Sequence, residues 1–120
     1  MRWLVDAMNV IGSRPDGWWR DRHGAGRGLL EQLESFAGEA GDEVTVVFDG
    51  RPFDLPRAGR VEVVFARSAD DAIIQTLAAD RDPASVTVVT SDRQLAARAR
   101  AAGARVAGAG GFRRRLARGA

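Results

Sequence analysis

The chain has 120 residues, which suits one domain with a single hydrophobic core. It has no cysteine, and all 18 basic residues are arginine, so a disulfide scaffold, a thiolate metal site, a P-loop and Schiff-base chemistry are all excluded. The net charge is only +2. No apolar run approaches the roughly 20 residues that span a bilayer, and the first residues reach a charge too soon for a signal peptide. We therefore expect a cytoplasmic protein without a membrane partner.

The distribution of apolar residues predicts five strands alternating with helices. The predicted strands are 3–6, 44–48, 61–65, 86–90 and 104–106. Helices are predicted over 26–40, closed by Gly41, from the Ser68-x-x-Asp71 capping pattern to a point before Asp82-Pro83, and over 93–102.

Three segments are predicted to be less regular. Residues 10–27, rich in Gly, Arg and Trp, form a long loop, and residues 50–59 form another. A basic C-terminal tail of about 108–120 begins with a flexible hinge over 108–111 and includes a last helical turn over 112–116. The remaining alternation of strands and helices predicts one α/β domain over 1–120, with a mainly parallel sheet covered by helices on both faces.

Four aspartates are expected to meet at one edge of this sheet. Asp6, Asp49 and Asp92 each end an apolar strand, and Asp70 opens the helix after the third strand. Ligands of open α/β sheets bind at the carboxyl ends of the strands, and clustered carboxylates repel one another unless a cation lies among them. Hard oxygen ligands suit Mg²⁺ or Mn²⁺, so the pattern predicts a metal-dependent nuclease.

Each aspartate also has a local explanation. Asp92 is suited to cap a helix, Asp71 fits the acidic position of a capping box, Asp70 lies in a first turn, and Asp49-Gly50 is a common turn pair. Asp6 is the hardest to explain locally, because no helix is predicted directly after it.

Two polar side chains near the first strand have different expected roles. Asn9 puts a neutral amide beside Asp6, where it can hold a phosphate or orient a metal ligand. His23, the sole histidine, is expected to be solvated or to pack within the long loop, and no structural zinc site is expected.

Four blocks of the sequence resemble one known family. Val5-Asp6-Ala7-Met8-Asn9-Val10-Ile11-Gly12 is similar to the first-strand motif of the YacP-like branch of the NYN nucleases, within the PIN-like superfamily. The resemblance continues through the blocks around Asp49, Asp70 and Asp92. It departs at Met8, where the family usually has an aromatic residue, and at the C-terminus, where similar proteins often carry a longer helical extension.

The resemblance implies a Rossmann-like sheet of order 3-2-1-4-5 and metal-dependent cleavage of RNA. By the family pattern, Asp6, Asp49, Asp70 and Asp92 form the catalytic and metal-binding cluster, Asn9 also belongs to the catalytic site, and Ser91 and Asp71 support it. One or two Mg²⁺ or Mn²⁺ ions would serve as cofactors. A larger ribonucleoprotein assembly is a further potential partner.

Arginines around the acidic cluster would attract the RNA backbone, and tryptophans would stack on unpaired bases. The predicted RNA-binding residues are Arg14, Trp18, Arg51, Arg67 and Arg93. Trp19 is a second stacking candidate, whereas Trp3 is predicted to lie in the core, and Arg113–Arg115 form either a solvated tail or a phosphate contact.

Four other classes of protein share features of this sequence. A phosphorelay receiver domain would need a lysine after the last strand and paired acids on the first, and both are missing. A nuclease-like module that binds RNA without cutting would be expected to have a broken acidic set, whereas all four positions are filled here. A PIN-like nuclease acting on DNA and a toxin of a toxin–antitoxin pair remain open.

Overall fold

The apolar strands form one parallel sheet in a computed structural model that describes residues 1–13, 17–56 and 59–119. The strands are β1 (Arg2–Asp6), β2 (Glu43–Asp49), β3 (Val61–Ala66), β4 (Val86–Val89) and β5 (Arg105–Ala107). All four neighbouring pairs are parallel, and the order is β3-β2-β1-β4-β5. This confirms the predicted single α/β domain and its strand order.

Helices cover both faces of the sheet, as predicted. They are α1 (Ala7–Gly12), α2 (Arg22–Ala40), α3 (Ala69–Ala79), α4 (Arg93–Ala101) and α5 (Ala109–Gly119). Successive strand residues point to opposite faces, so Val46 packs with α1, α2 and α5 while Val47 packs with α3 and α4. In the described part of the chain, no helix is long and apolar enough to cross a membrane.

The first long connection is more helical than predicted. Helix α1 follows β1 directly, and Ala7, Val10 and Ile11 bury one face of it at helical spacing. Helix α2 begins at Arg22 rather than near residue 26. Asp21 caps this start, because its carboxylate accepts a hydrogen bond from the Gly24 N–H at 2.9 Å. By propensity the glycines in this stretch favour a loop, but tertiary packing and a cap hold them in helices.

The C-terminal segment also differs from the prediction. Instead of a flexible hinge over 108–111 and a single turn over 112–116, residues Ala109–Gly119 form one helix. Ala109, Phe112 and Leu116 are buried along one side of it, and the Phe112 ring packs 5.2 Å from that of Trp3. Trp3 lies in the core, as predicted. Burial of this apolar stripe stabilises the helix despite its glycines.

Candidate active site

Two strand ends and two helix starts carry the four aspartates, because β4 ends at Val89 and Asp92, predicted to end that strand, caps the helix that follows. Asp6 ends β1, Asp49 ends β2, Asp92 immediately precedes α4, and Asp70 lies in the first turn of α3. Because the strands are parallel, all four belong to the edge at which ligands of this sheet class bind.

Asp6 is the buried carboxyl group of this cluster. It is only 5% exposed, and the Thr90 hydroxyl donates a hydrogen bond to its Oδ2 at 3.1 Å. Burial raises the pKa of Asp6 to about 6, and the charges of Asp70 and Asp49 raise it further, although the Thr90 hydrogen bond opposes the shift. Asp6 therefore lies close enough to two other carboxylates to repel them.

The pKa of Asp70 is also raised, in part by the rest of the cluster. Partial burial raises its pKa, and the neighbouring charges of Asp92 and Asp49 add to that shift. The pKa is thus raised for both Asp6 and Asp70. Asp70 thus feels the charges of Asp92 and Asp49, as Asp6 feels those of Asp70 and Asp49.

Thr90 is a buried residue that sequence reasoning did not select. The register that pairs Val5 with Val89 places it beside Asp6, and its hydroxyl also accepts a hydrogen bond from the Asp92 N–H at 3.1 Å. It thus links the carboxyl ends of β1 and β4. Its place just before Ser91-Asp92 was the available signal, but only the strand register shows what its hydroxyl contacts.

Asp92 and Asp49 each hold a helix start as well. Asp92 Oδ1 accepts hydrogen bonds from the N–H groups of Gln94 and Leu95, at 2.8 and 3.1 Å, and so caps α4. Asp49 Oδ1 accepts one from the Ala69 N–H at 2.8 Å, which ties β2 to α3. Holding a helix start and binding a metal ion are compatible roles for these residues, because the hydrogen bonds use Oδ1 and each carboxylate has a second oxygen for a cation.

Asn9 and Ser91 join neighbouring elements at this edge. Asn9 Oδ1 accepts a hydrogen bond from the Ser91 N–H at 2.8 Å, and Ser91 Oγ accepts one from the Ala109 N–H at 2.8 Å. The pair links α1, the end of β4 and α5. Asn9 thus positions the segment that carries Asp92.

Asp71 lies on the outer side of the cluster. Its side chain is exposed, its backbone N–H donates to Ser68 Oγ at 3.3 Å, and its carboxylate is 3.5 Å from the Arg98 guanidinium. Its N–H thus donates the hydrogen bond by which Ser68 caps α3. Its exposed carboxylate adds negative charge at the rim of the cluster.

The predicted RNA-binding residues surround the edge to different degrees. Arg51, Arg67 and Arg93 are exposed and follow β2, β3 and Asp92 respectively. Trp18 is half-buried and packs against the core, whereas its neighbour Trp19 is 56% exposed. Arg14 lies outside the described residues.

The donor set fits a hard divalent cation in chemistry, although no closed metal cage is present. Among residues 1–13, 17–56 and 59–119, no three acidic or histidine side chains converge closely enough to hold an ion. Mg²⁺ commonly binds through only one or two carboxylates, with waters and substrate phosphate oxygens as its other ligands. A buried carboxyl group whose pKa is raised by other carboxylates is a suitable centre for such a site.

This fold and its acidic edge define a class of protein. The sequence matches the YacP-like NYN domain over residues 3–119, and the chain belongs to that family. Membership of this family implies a nuclease-type function.

Individual solved structures support the same assignment. The chain superimposes on Rae1 (YacP) from Bacillus subtilis with a TM-score of 0.83 and 26% sequence identity, covering 99% of this chain and 75% of that one. Its W164L mutant gives the same TM-score and identity, with 98% and 76% covered. No curated protein matches the sequence.

Proposed function

We propose that this protein is a divalent-metal-dependent endoribonuclease that hydrolyses phosphodiester bonds of single-stranded RNA. The observation that carries the proposal is Asp6, a buried carboxyl group whose pKa is raised to about 6 by burial and by neighbouring aspartates. Burying a carboxyl group beside other acids destabilises the folded protein, and a bound cation relieves the repulsion. Perturbed pKa values of this kind are typical of functional sites.

Asp6 and Asp92 are the residues that would hold Mg²⁺ or Mn²⁺ directly, with Asp49 and Asp70 binding directly or through water. When bound, the ion lowers the pKa of a water molecule and neutralises charge on the phosphate. No lysine is present, and the ring of the sole histidine, His23, is stacked on Phe53.

The chain's own groups prepare this site. Thr90 fixes Asp6 Oδ2 and the backbone of Asp92 through one hydroxyl. Asn9 fixes the backbone of Ser91, the residue between Thr90 and Asp92. Hydrogen bonds of this kind hold carboxylates in a binding orientation before substrate arrives.

RNA is attracted by the rim rather than by the acidic centre. Exposed Arg51, Arg67 and Arg93 supply positive charge within one or two residues of the aspartates or the strand ends. Trp19 offers an exposed ring to an unpaired base. These groups favour a single strand, whose bases are free to stack.

The alternatives differ in what the acidic edge does. A module that binds RNA without cutting it would not need Asp6 and Asp70 to be held in a repelling pair. A nuclease acting on DNA would use the same metal chemistry, so the choice of RNA over DNA is part of the proposal. The proposal also includes a larger assembly that presents the RNA to this protein.

The first experiment compares cleavage of end-labelled single-stranded RNA and matched DNA in Mn²⁺, Mg²⁺ and EDTA. We expect cutting of RNA only with metal. Asp6→Asn and Asp92→Asn should each lower the rate by more than about 100-fold, because even partners outside the ligand shell contribute 10–100-fold. Asn is also a good helix cap, so Asp92→Asn should keep α4 intact.

Asp82→Asn is the matched control. Asp82 is exposed and precedes the short turn Pro83–Ser85 that leads into β4, the strand whose other end leads to Asp92. It should cut RNA at the wild-type rate. RNA that is bound but never cut would support the silent module, and preferential cutting of DNA would contradict the proposed substrate.

A further inference from the structure

A cavity of about 250 Å³ opens beside the acidic edge. It lies between the first turn of α2 and the loop after β2, and Asp49 forms part of its lining. The cavity thus shares one carboxylate with the proposed active site.

One wall of the cavity is aromatic. The His23 and Phe53 rings are stacked, with centroids 4.4 Å apart and planes within 3°. Phe53 is supported edge-on by the buried Phe48, at 5.4 Å between centroids. A Cβ at Gly26 would lie only 2.8 Å from Phe53 Cζ, so the helix backbone presses directly on this ring. The wall is therefore held in place by packing.

The remaining lining combines an apolar side chain with two cations. Met8 contributes a thioether from α1, and Arg22 and Arg51 contribute guanidinium groups from α2 and the loop after β2. Arg22 also lies 5.6 Å over the Trp18 ring. A flat, apolar surface flanked by guanidinium groups suits a planar ring with a phosphate attached.

The size of the cavity limits its occupant. Sites for drug-sized ligands measure roughly 300–1,000 Å³, so a cavity of about 250 Å³ has room for one planar base. Adjacency to Asp49 would place that base next to the phosphate at the acidic cluster.

We propose that this cavity is a subsite for one unpaired nucleobase of the RNA strand, with His23 and Phe53 as the stacking wall and Arg22 and Arg51 holding the adjoining phosphates. This inference rests on the proposed function, because it gives the RNA a defined position relative to Asp49. It also makes His23 a binding residue in the first turn of α2, whereas the sequence predicted a solvated residue or one packed within a loop.

The test measures RNA binding separately from cleavage. All variants carry Asp92→Asn, so that the strand is bound in Mn²⁺ without being cut. Fluorescence anisotropy compares a labelled oligoadenylate with a strand of the same length and charge whose bases are removed. The ratio of the two affinities reports base contacts alone.

We expect His23→Ala to lower this ratio by about five-fold or more, the range for loss of one stacked base, and His23→Phe to restore it. Because His23 is exposed, its replacement should not disturb folding, whereas Phe53→Ala would. Ser35→Ala, an exposed and neutral position farther along α2, is the matched control and should leave the ratio unchanged.

An unchanged ratio in His23→Ala would overturn the subsite, as would equal binding of the two strands by the protein with His23 intact. In either case, metal-dependent cleavage by the otherwise unaltered chain would still stand as support for the proposed function. If neither strand binds and the unaltered chain does not cut RNA, both proposals fail.

Discussion

At the scale of single residues, the site depends on how one carboxyl group is buried. Asp6 is 5% exposed, whereas Asp49, which also ends a strand, is exposed. Thr90 is the only hydroxyl that the described residues direct at Asp6. Burial, more than the number of nearby acids, therefore sets the protonation of Asp6.

The raised pKa of Asp6 predicts how stability changes with pH. The folded protein keeps this proton up to about pH 6, whereas the unfolded chain loses it near 3.8. Stability from Asp6 therefore falls as pH rises through this window and stays lower above it. Asp6→Asn should raise the free energy of unfolding above pH 6 by at most about 3 kcal/mol, and less as the pH approaches 4.

Urea denaturation in EDTA at several pH values measures this difference. Asp82→Asn, at an exposed position, should show no such window. A destabilisation by Asp6→Asn that is the same at every pH would mean that the carboxyl group is structurally required rather than electrostatically strained.

At the scale of elements, helix α2 shows why glycine alone does not define a loop. Gly26 is buried against Phe53 and Phe48, where a Cβ would lie 2.8 and 3.2 Å from ring carbons. Gly28, two residues on, has no atom within 4 Å of its added Cβ. The first glycine is needed for close packing, and the second only lowers helix propensity.

Alanine substitutions at these two glycines should therefore have opposite effects. Gly28→Ala should stabilise the protein by about 0.5–1 kcal/mol, because alanine is the better helix former. Gly26→Ala should destabilise it by about 1–3 kcal/mol through overpacking against Phe53. Thermal or urea denaturation of both variants decides this. Equal stabilisation by both would mean that Phe53 moves aside freely.

At the scale of the whole molecule, the two edges of the sheet have different tasks. The carboxyl edge gathers the mutually repelling aspartates. At the amino edge, Arg2 in β1 forms an ion pair with Asp80 at 2.6 Å and donates hydrogen bonds to Ser85 Oγ and the Asp82 carbonyl. The Arg2 hydrogen bond lowers the pKa of Asp80 to about 2. Stabilising contacts and the strained site thus lie at opposite ends of the strands.

Arg2→Met should accordingly lower Tm without slowing RNA cleavage per folded molecule. The Asp80 contribution is present above its unfolded pKa of 3.8 and is lost as pH falls through about 2, so the difference in Tm should shrink in acid. Arg81→Met, an exposed neighbour, is the control. A loss of cleavage that matches Asp6→Asn would show that the two edges are not independent.

Much of the fold was predictable because it follows local periodicity. The runs before Asp6 and Asp49 and the run over 86–89 are mostly apolar, and the last two are rich in β-branched residues. Strands alternating with helices leave few alternatives to a parallel sheet. Helix α1 was not predicted because it is only six residues long, and the full length of α5 was not predicted because its first residues are rich in glycine. Both are stabilised by burial that no local window shows, such as that of Phe112.

For the candidate site, the order of apolar runs in the chain was enough to show which aspartates stand at or just after strand ends, and so which of them share one edge. Chain order and parallel pairing require that much, because strand ends of one polarity meet at one side of the sheet. Three properties are visible only in the folded chain: Asp6 is buried, Thr90 joins it to Asp92, and His23 stacks on Phe53 beside Asp49. Those properties arise from register and packing between segments distant in the chain, and a residue's burial and hydrogen bonds are set by these neighbours rather than by its own sequence context.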